Sequence, residues 1–196
     1  MNREQYSSTF DAGLSISGSF AVPPPGSHGG SGRDEDFQKL LARIAAKAGE
    51  RSGSRALIQF FCNAAREFFK VTGVYFWRCE LADELVGEQA DGKLVERFIG
   101  MRLGPEQSVV TASAVRQRRT MWANHVEPGA FPAAKEFDVR SLMAAPLLVF
   151  NEVIGAVTFL HDSDDNFFSD ELAAKATILA GQLGTLLEAE KEHSHE

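Results

Sequence analysis

The sequence predicts an α+β fold, and three observations carry that expectation. Residues 141–160 hold two apolar runs of strand length that meet at Asn151 and Glu152, and Glu152 is the only charged residue among them. Such a pattern is that of a β-hairpin, and Asn151 tolerates the positive φ that a tight turn needs. Two stretches of helical periodicity precede the strand-rich middle of the chain, and a third, longer one closes it.

Residues 1–33 are rich in Ser and Gly, carry the run Pro23-Pro24-Pro25 and offer few apolar anchors. Such a segment cannot bury enough surface to offset the entropy of ordering it, so an arm without structure is expected. Its glycine run, 26–32, lacks the Lys-Ser/Thr ending of a phosphate loop and reads as a linker. From Asp34 the pattern turns helical. Phe37, Leu40, Leu41, Ile44, Ala45 and Ala48 make one stripe, which Gly49 ends. A second helix over 54–71 presents Leu57, Ile58, Phe61, Ala64, Ala65, Phe68 and Phe69, a face wide enough to lie on a sheet.

Strand signals follow at 74–79, dense in β-formers, with a turn at Ala82-Asp83. Residues 85–90 pair back, Asp91-Gly92 turns again, and 95–103 is the third strand expected. Ser108 caps a short helix over 109–118, and 120–124 reads as a fourth strand. A long connection, 125–140, leads into the hairpin, and long connections in compact domains tend to carry function. Because both faces of 142–150 are apolar, this strand is expected centrally in a sheet covered on both sides. Pro146 is compatible with that place only at a bulge or an unpaired edge. After a polar loop, Ser169 caps the last helix, with Asp170 and Glu171 in its first turn where the dipole favours negative charge.

A chain of 196 residues is one domain plus tails, and 27 acidic against 20 basic residues give it a net charge of −7. Nucleic acid and anionic membrane surfaces repel such a chain. Its longest apolar run, 142–150, is about half a membrane span, and no signal-peptide pattern opens it. Cys62 and Cys79, far apart, form neither a metal knuckle nor a disulfide framework. A cytoplasmic protein is expected.

The order of these elements comes with particular segments. They are Gly100-Met101-Arg102-Leu103, Thr120-Met121-Trp122-Ala123-Asn124, Ala145-Pro146-Leu147, Val153-Ile154-Gly155-Ala156-Val157 and Phe167-Phe168-Ser169-Asp170-Glu171-Leu172. Taken in sequence, they resemble the GAF domain family over residues 36–190. A PAS domain shares the sheet architecture but usually lacks the paired leading helices and long closing helix. The resemblance implies an antiparallel sheet with N- and C-terminal helices on one face, and a short helix and loop enclosing a pocket on the other. It also implies a sensory or dimerising module that meets an output domain or partner protein. Family members bind cyclic nucleotides, bilins, haem or small metabolites, or bind nothing.

Departures from the family narrow that choice. Bilin-binding members attach chromophore through a cysteine in the pocket-side loop or an N-terminal extension, and neither 125–140 nor 1–33 contains one. The methionine-sulfoxide reductases of this fold need pocket cysteines, and 104–160 has none. Phe167, Asp170 and Glu171 match the end of the cyclic-nucleotide signature with the spacing one short, and its Asn-Lys is missing. Many members have Asp where this chain has His125.

Phe76, Arg78, Phe98, Met101, Trp122, Phe131 and Phe137 are the candidate pocket-lining residues, with His125 at the rim as a candidate ligand donor. Against these stands the ordinary reading of such aromatics as core. Asp162-x-Asp164-x-Asn166 opens like a calcium loop, but Phe167 replaces the required glycine and Ala173 the final Glu. Arg116, Arg118 and Arg119 read as an exposed helix end, and His193 and His195 as tail residues. No nucleophile–base–orienter set stands out, so no catalysis is expected. Two functions remain open, a small-molecule sensor of unnamed ligand and a ligand-free dimerisation or scaffold module. The closing helix carries a second stripe of small residues, Ala173, Thr177, Ala180 and Gly184. Paired with 36–48, that stripe predicts a homodimer through the terminal helices.

Overall fold

The structure, a computed structural model, describes residues 8–10, 14–16, 32–81, 84–104, 107–165 and 167–193. Strands β1 (Ser8–Phe10) and β2 (Leu14–Ile16) pair antiparallel. The expectation of a structureless arm thus meets a short ladder here, while the glycine run 26–31 lies outside the described residues. Helices α1 (Gly32–Gly49) and α2 (Ser54–Phe69) follow. The buried face of α2 includes Leu57, Phe61, Ala65 and Phe69, and Lys70 ends it in the left-handed conformation.

Beyond the helices come β3 (Gly73–Leu81), β4 (Glu84–Asp91), α3 (Val95–Phe98), β5 (Arg102–Leu103), α4 (Val109–Gln117), β6 (Met121–Ala123) and α5 (Pro132–Glu136). β7 (Ser141–Val149), β8 (Glu152–His161) and α6 (Asp170–His193) complete the chain. One six-stranded sheet has the order β5-β4-β3-β8-β7-β6, every neighbouring pair antiparallel. The hairpin of β7 and β8 turns on Phe150 and Asn151, with φ of +48° and +66°, the double positive φ of a tight two-residue turn. Val149 pairs with Glu152, so the turn sits one residue earlier than the polar pair suggests.

Two expectations about the strands need correcting. Residues 95–103 are not one strand. Leu94 in the left-handed region and Gly100 at φ +82° bracket a single helical turn, and only Arg102 and Leu103 pair with β4. β7 is not central: β3 and β8 are, and the three-residue β6 flanks β7 at Leu142–Ala144 only. Pro146 lies beyond that pairing, which is why a proline fits in the strand. The Ala82-Asp83 turn lies outside the described residues.

The sheet separates two cores. On one face Val74, Phe76, Met143, Leu147 and Phe159 pack under α2 and α6, and α1 lies across those helices through Phe37, Leu40 and Ile44. The opposite face, with Tyr75, Trp77, Leu142, Ala144 and Leu160, is covered by α3, α4 and the segment around α5. The small stripe of α6 is consumed within the chain, which corrects the surface assigned to a second copy. Ala173 and Ala180 are buried in the helix-side core, and Gly184 approaches β7 so closely that a Cβ there would stand 3.1 Å from Val149 Cγ2. Thr177 shares a 2.6 Å hydrogen bond with Thr120, and Gln182 Nε2 donates to the Leu41 carbonyl of α1 at 2.9 Å. Among the described residues no helix is long and apolar enough to cross a membrane.

Candidate functional site

The site lies on the α4–α5 side of the sheet. Strand alternation sends Tyr75 and Trp77 of β3 there. They meet Phe98 of α3 edge-on at 5.0 and 4.6 Å, and Phe137 stands edge-on to Tyr75 at 5.4 Å. Edge-to-face contacts of this kind stabilise by about 0.5–1.5 kcal/mol beyond the area they bury. Phe131, just before α5, closes the wall and is buried. What remains is a cavity of ≈30 Å³, roughly the space of one water molecule.

The polar groups around this cavity satisfy one another. Trp77 Nε1 donates to Thr158 Oγ1 at 3.1 Å, and that hydroxyl donates to the Tyr75 carbonyl at 3.4 Å. Ser108 caps α4 as the sequence predicts, and its Oγ lies 3.0 Å from Thr111 Oγ1. Tyr75 donates its hydroxyl to the Lys93 carbonyl at 2.6 Å. Burial pushes the Tyr75 phenol up to about 12, so it stays protonated and a donor at neutral pH.

The residues singled out from sequence divide between the two faces. Phe98, Phe131 and Phe137 line the cavity. Phe76 and Trp122 do not: their side chains belong to the helix-side core. Arg78, on the face of Phe76, is exposed and pairs with Glu80 at 3.2 Å and Glu88 at 3.3 Å. Met101 is half-buried and packs on the periphery of the lidded core. His125 is exposed at φ +55°, its ring 4.6 Å from that of Phe167 and outside the cavity wall.

Sequence reasoning missed Tyr75, Trp77 and Thr158. The available signal was Thr158, the single polar side chain between Ile154 and Leu160 in an otherwise apolar strand. A buried threonine needs a partner, and the residue facing it across the ladder marks the polar side of the sheet. Asp162 of the calcium-like run is engaged elsewhere, accepting from Thr72 Oγ1 at 2.6 Å and pairing with Lys93. Its Lys93 and Thr72 bonds hold its carboxyl below the ordinary range; Asn166 lies outside the described residues. Among the described residues no group of His, Cys, Asp and Glu could hold a metal ion, and Ser194 and His195 lie outside them. Burial raises the Cys62 thiol far above its ordinary value, so it is an inert core group. Arg116 and Arg118 are exposed at the end of α4, away from the cavity.

An antiparallel sheet with helices on one face and a lidded cavity on the other defines an α+β domain. The family model described as GAF domain matches residues 52–188, well over half of the chain, and the chain belongs to that family. Members are generally regulatory sensory domains of signalling proteins. No curated protein matches in sequence. Among solved structures, the GAF domain of a phosphoenolpyruvate-protein phosphotransferase from Coxiella burnetii is 16% identical, with a TM-score of 0.70 over 85% of this chain and 100% of that one. Free methionine-R-sulfoxide reductase from Neisseria meningitidis, in complex with its substrate, is 20% identical, with a TM-score of 0.69 over 88% and 98%. The phycoerythrobilin-bound GAF domain of a cyanobacterial phytochrome is 12% identical, with a TM-score of 0.65 over 82% and 98%. At these identities the likeness is one of fold.

Proposed function

We propose that this chain is a regulatory GAF domain of a signalling system that fills its own pocket and acts through its helices, without a metabolite in the lidded cavity. The observation that carries this is the cavity itself. Small-molecule sites run to about 300–1,000 Å³, against ≈30 Å³ here. Nor do its polar groups wait for a ligand, since Trp77, Ser108, Thr111 and Thr158 bond within the protein. Of the two functions open from sequence, the ligand-free module is therefore favoured. Native mass spectrometry of the protein purified from its source cells tests it. The polypeptide mass, or a retained molecule whose removal leaves the Trp77 indole resonance unmoved, is expected. A stoichiometric molecule whose removal shifts that resonance overturns it.

A second reading, a small-molecule sensor, draws on Phe131 and Phe137. Both sit in the segment 125–140 and together wall the cavity, so rotating them outward enlarges it. The bilin-bound and substrate-bound relatives share this fold. Under that reading Phe131→Ala and Phe137→Ala change the affinity for a ligand more than they change stability.

A homodimer belongs to this proposal through a different face from that expected. α1 already lies on α6 within the chain, and the outer side of α6 presents Ile178, 54% exposed, flanked by Ala174, Gly181 and Thr185. Ile178→Arg should turn a dimer into a folded monomer by light scattering. A wild type already monomeric at tens of micromolar, above the range of specific contacts at about nanomolar to micromolar, contradicts it.

A further inference from the structure

A concavity that the fold and family leave unexplained lies on the other side of the sheet. A cleft of ≈590 Å³ opens between α1, α2 and the start of α6, a size within the span of small-molecule sites of about 300–1,000 Å³. Leu40, Phe68, Phe69 and Leu172 give it apolar walls, and Phe167, 46% exposed, holds an aromatic ring at its mouth. Surface aromatics that gather in a concavity mark a place where an apolar body sheds water.

The charges around the cleft are unequal. Lys175 is committed to Asp34 at 3.0 Å and Glu171 at 2.8 Å, and Lys39 to Asp36 at 3.2 Å. Arg33, Arg43 and Lys70 also line the cleft, and among the described residues none of them has a salt-bridge partner. Arg43 has its guanidinium 5.7 Å over the Phe60 ring. Glu67 is the only lining carboxylate besides Asp36 among the described residues. Among the described residues, three lining cations without a salt-bridge partner against one such carboxylate, Glu67, above an apolar floor, match a ligand that is anionic at one end and apolar at the other.

We infer that the α1–α2–α6 cleft binds a small amphipathic anion, an aromatic or short acyl body bearing a carboxylate, sulfonate or phosphate. Its occupant bridges the two leading helices to the closing one, the three elements that form the outer layer over the sheet. This site does not depend on whether the lidded cavity takes a ligand.

Fluorescence titration of the full chain with 1-anilinonaphthalene-8-sulfonate, an anion on an apolar body, tests the assignment against its neutral analogue N-phenyl-1-naphthylamine. Saturable one-to-one binding of the anionic dye is expected, weakening as salt is raised and exceeding that of the neutral dye by about tenfold or more. Arg33→Glu with Lys70→Glu should raise the dissociation constant about tenfold or more at unchanged melting temperature, since both positions are on the surface. In the amide spectrum, shifts should gather at Arg33, Arg43 and Lys70 and spare the Trp77 indole. No saturable binding, equal affinity of the two dyes, an undiminished affinity in the double variant, or shifts centred on Trp77 would each overturn the assignment.

Discussion

Trp77 Nε1 donates a hydrogen bond to Thr158 Oγ1 across the two central strands, at 3.1 Å and with both residues buried. The bond closes the polar account of the lidded cavity from within. Thr158→Val keeps the shape and removes the acceptor, leaving a buried indole N–H unpaired at a cost of about 1–3 kcal/mol. Thr158→Ser keeps the hydroxyl and should lose less. Urea unfolding that finds the valine variant as stable as wild type contradicts the role given to this pair.

Phe131 and Phe137 are 3% and 8% exposed. As packing elements of a self-filled cavity, each should cost about 3–5 kcal/mol on truncation to alanine. Chemical denaturation measures this directly. Variants that keep wild-type stability mark the two rings as a loose lid instead, and favour the sensor reading.

Which face each side chain occupies decides these outcomes, and the sequence is unevenly informative about it. Helical stripes identify α2 because its apolar residues cluster on one side while its outer side is polar. The β7–β8 hairpin is legible for a similar reason, since two long apolar runs flank a residue that accepts positive φ. Tyr75, Phe76 and Trp77 are different. Three consecutive aromatics on a strand buried on both faces carry no mark of which face each one takes, so sequence alone points Phe76 at the pocket and passes over Trp77. Residues 95–103 mislead for a local reason. Val95, Phe98 and Ile99 favour strands, yet Leu94 and Gly100 take positive φ and fold the segment into one turn that delivers Phe98 onto Trp77. The small stripe of α6 is legible as a close-approach surface, but small side chains admit a sheet as readily as a helix, and β7 is what approaches Gly184.

Two glycines should respond in opposite directions to the same substitution. A Cβ on Gly155 would stand 2.4 Å from the Trp77 carbonyl oxygen, a backbone atom of the neighbouring central strand. Gly155→Ala should therefore destabilise by about 1–3 kcal/mol or more, as overpacking does. A Cβ on Gly181, inside α6, would meet nothing within 4 Å. Gly181→Ala should stabilise by about 0.5–1 kcal/mol through helix propensity. Thermal melts of the two variants that shift in the same direction contradict the packing described.

His161 is buried at the end of β8, its ring 5.1 Å from that of Phe168. Burial lowers its pKa below the ordinary 6.5, and the nearby Asp162 charge only partly opposes this. The unfolded chain thus binds the proton more readily than the folded one. The neutral ring's stabilising share is complete above about pH 6.5 and is lost as pH falls through the lowered folded value. Asp162 acts in a lower window, its share complete above 3.8 and lost as pH falls further. His161→Gln should flatten the decline in melting temperature between neutral and mildly acid pH. An unchanged decline assigns it to other groups.

If the lidded cavity is complete without a ligand, the Trp77 indole N–H reports on it from inside. Its cross-peak in a ¹H–¹⁵N spectrum can be followed while the small-molecule extract of the source cells is added. A self-filled pocket leaves the peak in place throughout, even where amides of the opposite cleft move. A saturable shift of the Trp77 indole on addition of the extract would contradict it.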